Sequence, residues 1–375
     1  MKKIYAIITA FAILLLLPAF VSAAGRPVEM PDVKFKVNNR LVKLTDVPLG
    51  IDGSMLLPLR DVLVSLGVPD DNEHIKWDGK DKSVTVISDG DTIYLKLGSK
   101  TARINGADAA LEAAPFTYER NGKVYIPVKF ISNAAGKEVV WDGGTRTVLI
   151  RDRDKYAEMK SVLDKVDGAM KGIEKVRLQS KMKLNIAGKG ANINLDVSLK
   201  EELDRKKGLL YSVTEVPLFG GNVSLYAFYR DNTAYIKKST KGGWGKSLMT
   251  ADAFEALLSE DVSLTSVNGL EVMAASLDRR EGGVKGEYLL AGSLYPAKLA
   301  AKFGQNAGIT NLSPESCILE VIIDGTTNLV KGIHAEFGGK AGPANSRSSV
   351  KAVLDVEYSD YNGAFEIKAP PDLPA

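Results

Sequence analysis

The stretch "VYIPVKFISNAAGKEVVWDGGTRTVLI", residues 124–150, repeats an earlier one, "LLPLRDVLVSLG…IKWDGKDKSVTVI", residues 56–87. Pro58 and Pro127 stand 69 apart, as do Gly67 and Gly136, whereas Trp77 and Trp141 stand 64 apart. The first copy therefore carries five extra residues, which fall in its "VPDDNEHIKW" connection. Each copy parses alike. Proline opens a short helix, with Leu59, Val62, Leu63 and Leu66 at helical spacing in the first copy and Val128, Ile131 and Ala135 in the second, and Gly67 or Gly136 closes it. A β-rich pair of runs joined by an Asp-Gly turn follows. Upstream, "FKVNNRLVKL" and "ARINGADAAL" supply two more hairpins with Asn-Asn and Asn-Gly turns. A small structural unit written twice specifies a scaffold, since chemistry rarely needs duplication within one chain.

At 375 residues, 45% hydrophobic and 25% charged, the chain has ordinary globular composition and room for two or three domains. Lys2 and Lys3 precede an apolar run from Ile4 to Leu17. Pro18 breaks that run, and "AFVSAAG" follows with small residues. Residues 1–24 read as a secretory signal peptide, the run being shorter than the roughly 20 residues a membrane-spanning helix needs. With 49 Lys and Arg against 46 Asp and Glu, and 47 against 46 once Lys2 and Lys3 are gone, charge is balanced and interspersed. That argues against nucleic acid as a partner. The single cysteine, Cys317, forms no internal disulfide, and its place in "ESCILEVII" reads as a half-buried strand thiol.

The repeat resembles the copper amine oxidase N-terminal domain-like module, or stalk domain, common in secreted proteins of Gram-positive bacteria. The resemblance rests on "VNNRLVKL", "LLPLRDVLVSLG", "KWDGKDKSVTV", "LKLGSKTARING", "APFTYERNGKVYIPVKFISNAAG" and "VVWDGGTRTVLI". It implies a small α+β domain with an antiparallel sheet curved around a helix, over residues 30–152. Copper does not carry over, because copper sites gather several imidazoles or thiolates and the chain offers only His74, His334 and Cys317. Trp77 and Trp141 read as core aromatics closing sheet on helix, with sugar stacking as the alternative.

Beyond the charged cluster "RDRDK", Tyr156, Met159, Leu163, Val166, Met170 and Ile173 form one apolar helical stripe. Period-two alternation follows: Val176, Leu178, Met182, Leu184 and Ile186, then Ile193, Leu195, Val197 and Leu199. Further strands are expected in "GLLYSVTEV", "NVSLYAFYR", "TAYIKK", "GEYLLAGSL", "ILEVII", "GIHAEF" and "SVKAVLDVEYSDY", and short helices in "TADAFEALLSE" and "YPAKLAAKFGQ". Residues 153–375 resemble the half-barrels of the outer-membrane lipoprotein carrier and mycobacterial lipoprotein superfamily, through "MKGIEKVRLQSKMKL", "YRDNTAYIKKSTKGGWGK" and "VEYSDYNGAFEIKAPPDL". The resemblance implies an amphiphile or lipid held inside an incompletely closed sheet. Its Gram-positive members start at a lipidated cysteine, which is absent here.

The expected fold class is therefore α+β, a duplicated sheet-plus-helix stalk followed by an antiparallel half-barrel covered by helices. Met182, Leu184, Ile193 and Leu195 are the candidate ligand contacts. "TKGGWGKS" lacks the first glycine of a phosphate loop, no G-x-S-x-G or H-E-x-x-H motif is present, and "PDDNEH" departs from EF-hand spacing, so no catalytic residue, metal or cofactor is assigned. The leading expectation is a secreted, non-catalytic envelope protein binding an apolar or amphiphilic ligand. A structural or adhesive surface protein of the cell wall is second and a carbohydrate-active hydrolase third. N-terminal sequencing of exported protein is expected to begin at Ala24 or Gly25, and exported material that still starts at Met1 would refute the cleavage.

Overall fold

The structure, a computed structural model, describes residues 26–88, 90–188, 191–218, 221–239, 242–260, 267–295, 313–342 and 347–374. The predicted signal segment, and all of "YPAKLAAKFGQ" after Tyr295, lie outside them. The chain groups into two compact units, residues 26–31 with Leu44–Ile131, and Asp32–Lys43 with residues 132–374.

Along the duplicated half the strands are β1 (Val28–Glu29), β2 (Lys34–Val37), β3 (Arg40–Leu41), β4 (Leu49–Ile51), β5 (Ser54–Pro58), β6 (Ile75–Asp78) and β7 (Ser83–Ser88). They continue as β8 (Asp91–Lys96), β9 (Thr101–Ile104), β10 (Ala107–Ala110), β11 (Phe116–Thr117), β12 (Val124–Pro127), β13 (Lys137–Asp142) and β14 (Thr147–Asp152). Two seven-residue helices, α1 (Leu59–Ser65) and α2 (Val128–Ala134), follow the prolines. Pro58 stands just outside α1, and Gly67 and Gly136 take positive φ of 100° and 67° past the two helices, the conformation that favours glycine there. The Asn38-Asn39 and Asn105-Gly106 turns also have positive φ at both positions, as two-residue hairpins require.

In the first unit the sheet order is β1-β4-β5-β12-β11. Strands β5 and β12 come from equivalent places in the two copies, and they pair antiparallel with Leu57 opposite Ile126, its own counterpart at the repeat offset. Pro58 faces Tyr125 and Leu56 faces Pro127, so the pairing is two-fold symmetric about the central rung. Leu57 and Ile126 are fully buried, beside a cluster of Leu49, Leu56, Ala113 and Tyr125. A second sheet, β10-β9-β8-β7-β6, places the upstream hairpin of the second copy with the Trp77 hairpin of the first. The reciprocal exchange occurs in the other unit, where β14 of the second copy pairs parallel with β2 of the first in the order β13-β14-β2-β3.

Trp77 and Trp141 are not core residues. They are 52% and 45% exposed. Strand parity decides this, since Val140 and Asp142 turn inward and Trp141 between them must turn outward. Each indole instead lies over its own turn, with its nitrogen 3.5 Å from where a Cβ would stand on Gly79 or Gly143.

In the second unit, α3 (Arg153–Lys171) leads into β15 (Lys175–Gly188), β16 (Ala191–Asp204), β17 (Leu209–Leu218), β18 (Gly221–Arg230), β19 (Thr233–Lys238) and β20 (Gly245–Leu248). Helices α4 (Ala251–Glu260) and α5 (Leu270–Ser276) intervene before β21 (Leu277–Glu281), β22 (Glu287–Gly292), β23 (Ser313–Asp324), β24 (Val330–Ala341) and β25 (Ser348–Ser359). All eleven strands form one antiparallel half-barrel sheet, β20-β19-β18-β17-β16-β15-β25-β24-β23-β22-β21. The α3 stripe is confirmed, with Met159, Leu163, Val166 and Met170 buried against Val176, Leu203, Leu354 and Val356 of the sheet. Helix α5 had no counterpart among the sequence expectations, yet its Met273 and Ala274 are fully buried in the same core.

Strands β13 and β14 of the second repeat share a small core with α5. Val140 and Leu149 of the second repeat bury themselves against Ala275 of α5, with Tyr156 and Val272 alongside. Next to this patch the Arg151 guanidinium, 5% exposed, pairs with Asp278 at 2.6 Å, while Asn39 donates to the other Asp278 oxygen at 2.9 Å. Asp278→Ala is expected to destabilise this unit more than Arg151→Met, because it leaves a buried charge without its carboxylate. Trp141→Ala is expected to cost less than about 1.5 kcal/mol and Ile150→Ala about 2–5 kcal/mol, Ile150 being 1% exposed. Urea denaturation followed by circular dichroism checks both comparisons. Equal losses for Trp141→Ala and Ile150→Ala would contradict the exposed indole.

Candidate functional site

The inner face of the half-barrel follows from strand parity. Along β15, Val176, Leu178, Ser180, Met182 and Leu184 turn in while Gln179, Lys181 and Lys183 turn out. Leu184 pairs with Leu195, Ile186 with Ile193 and Met182 with Val197, so the four predicted contacts lie on one face within three adjacent rungs. On the other side of β15, Met182 meets Leu354, Leu184 meets Ala352 and Ile186 meets Val350.

Their surroundings differ. Met182 belongs to the core covered by α3 and α5. Leu184 lies in a second apolar cluster with Tyr295, Phe337, Ala341, Val350 and Ala352, against which Ile186, Leu195 and Cys317 pack. This second cluster includes no residue of a described helix. Around it the inner face carries exposed apolar side chains, Ile193 at 41%, Val223 at 39% and Ile236 at 41%. Among the described residues, the inner surface is thus packed by helices at one end, while at the other a second buried apolar cluster has the exposed Ile193 at its margin. Phe337, Val350 and Ala352 were missed as contacts, although alternation through Val350, Ala352, Leu354 and Val356 carries the signal. Tyr295 follows β22 and no periodicity announces it.

The inner face also holds Ser180, Glu201 and Ser212, all buried, with Glu201 opposite both Leu178 and Ser212. Parity again puts the carboxylate inside, in line with Leu199 and Leu203.

The other reactive groups have ordinary environments. Burial pushes the Cys317 thiol up, and the Ser293 hydroxyl lies 3.9 Å from its Sγ. His74 shares its Nδ1 with Asp71 at 2.8 Å, and Asp71 also accepts the backbone N–H of Glu73 and His74, which makes "PDDNEH" a self-satisfied turn. His334 lies between Asp355, 2.6 Å from Nδ1, and Glu336, 3.3 Å from Nε2, and the Asp355 hydrogen bond raises its pKa. Among the described residues no three His, Cys, Asp or Glu side chains are placed to hold a metal ion, and no helix is long and apolar enough to cross a membrane.

Residues 36–150 match the family model described as the copper amine oxidase N-terminal domain. No curated protein matches this sequence. Among solved structures, LprF from Mycobacterium bovis is 13% identical, with a TM-score of 0.31, covering 58% of this chain and 98% of its own. The LolA superfamily protein NE2245 from Nitrosomonas europaea is 8% identical, with a TM-score of 0.19, over 57% of this chain and 95% of its own. A putative outer membrane lipoprotein-sorting protein domain from Vibrio parahaemolyticus is 8% identical, with a TM-score of 0.22, over 56% and 95%.

Proposed function

We propose that the chain is an exported, non-catalytic envelope protein in which a stalk module, residues 30–152, carries a half-barrel module, residues 153–375, that binds an apolar or amphiphilic ligand. The observation that carries this reading is the division of the inner sheet face. One end is packed by α3 and α5, and at the other the half-buried Leu195 and the exposed Ile193 border a buried apolar cluster of Leu184, Phe337 and Val350. An apolar surface at that end suits an acyl chain. The packed helix end favours a second reading, a structural surface protein whose interior is its own side chains.

Ile193 and Leu195 provide the test, since Ile193 is exposed and tolerates a charge without burying it. Wild-type protein is expected to bind a fluorescent fatty-acid probe saturably. Ile193→Asp and Leu195→Asp are expected to weaken it at least about tenfold, roughly 1.4 kcal/mol, with unchanged far-ultraviolet circular dichroism. Wild-type protein that is lipid-free on extraction and binds no probe sinks the carrier reading and leaves the structural one.

A further inference from the structure

Successive residues of a strand face opposite sides of the sheet, so the half-barrel has a second, outer face that the inner ligand does not use. Leu210 and Tyr229 turn toward the helices, while Tyr211, Tyr226, Phe228, Tyr235 and Lys237 turn outward across β17, β18 and β19. The segment after β25 crosses this outer face. Asn362 accepts the backbone N–H of Glu174 at 2.9 Å, Lys175 donates to the Phe365 carbonyl at 2.7 Å, and the Arg177 guanidinium lies 4.3 Å from the Phe365 ring centre. Phe365 and Ile367 are buried against Phe228 and Tyr235, with Tyr211, Trp244 and Leu373 at the margin. This anchoring fixes the wall of a cleft.

The cleft has a volume of about 380 Å³ and is lined by Tyr211, Tyr226 and Trp244 on the sheet side and by residues 368–372, including Pro370, on the other. All three aromatic rings are only half-buried. Lys237 sits at its base, 11% exposed, ion-paired with Asp372 and 5.7 Å from the Trp244 ring centre. The Asp372 carboxyl is held below its usual range by that lysine first. With Asp372 engaged by Lys237, the lining carries a net positive charge, and Lys368 at the rim is exposed and has no ion-pair partner among the described residues.

An acyl chain gains little in an open cleft walled by three polar-tipped rings and three charged groups. A pyranose fits that chemistry, because its C–H face stacks on the electron-rich face of an indole or phenol while its hydroxyls meet the ring of polar groups. Lys368 at the rim selects an anionic substituent through a charge-assisted contact. We propose that this outer cleft is a binding site for an acidic saccharide, with a sugar ring stacked on Trp244 between Tyr211 and Tyr226 and its carboxylate paired with Lys368.

The chain has three tryptophans, so in a Trp77→Phe, Trp141→Phe variant Trp244 is the sole indole reporter. Titration with a tetra-uronate oligosaccharide is expected to change its emission saturably, with affinity falling at higher salt as the carboxylate–lysine contact is screened. The neutral hexose tetramer is expected to bind at least about tenfold more weakly, as is the uronate to a Lys368→Glu form. Tyr226→Ala is expected to lose saturation while keeping its circular dichroism spectrum. Fatty-acid probe binding is unchanged by Lys368→Glu, so failure here and failure of the inner-face reading are separable. No response to the uronate, equal response to the neutral sugar, or saturation only by a proline-rich peptide each overturns the proposal.

Discussion

An eleven-stranded antiparallel sheet with one apolar face cannot stand in water uncovered, and the packing of α3 on that face is the contact on which the second unit depends. Met159, Leu163, Val166 and Met170 recur at spacings of three and four, so one helix presents them all at once to Val176, Leu354 and Val356. Full burial of a side chain of this size contributes about 1.5–3 kcal/mol. Because α3 precedes β15 directly, the cover reaches the sheet with little loop-closure cost. Helix α5 then extends it, and its other side takes Val140 and Leu149 of the second repeat.

That second contact is more selective than strong. The apolar patch is small, and a guanidinium sits beside it with a single carboxylate at 2.6 Å. A buried ion pair adds little net stability over an apolar filling, but it penalises any arrangement in which the two charges fail to meet. Asn39 and Lys36 supplement it, Lys36 through the Ser293 carbonyl at 3.2 Å. The β13-β14-β2-β3 sheet is thereby held in one register against the residues that follow α5.

What local sequence encodes was legible, and what depends on distant partners was not. The α3 stripe, the alternation of β15 and the Asn-Gly turn are written in residues a few positions apart, and each appears as read. The parallel pairing of β14 with β2, across more than a hundred residues, leaves no mark in either segment. Trp141 was misjudged because aromatic character was weighed above parity, although buried Val140 next to it already decides the direction. Helix α5 is only seven residues long and runs straight into β21, so no extended periodicity marks it. On the inner face Met182 and Leu184, two residues apart, belong to different clusters, a division set by where the helices end and invisible to periodicity. The aromatic cleft lies beyond sequence patterns for a related reason, since Tyr211, Tyr226 and Trp244 are joined only by strand register and a returning tail.

The self-complementary rung of Leu57 with Ile126 bears on how the duplicated fold is assembled. A single copy would carry one such strand with an unpaired, apolar edge that fits its own twin, so its burial would be second order in protein and would compete with wider edge-to-edge association. Joining two copies by about seventy residues turns that encounter into ring closure, with an effective concentration set by the tether and not by how much protein is present. A pairing held within one chain is indifferent to dilution.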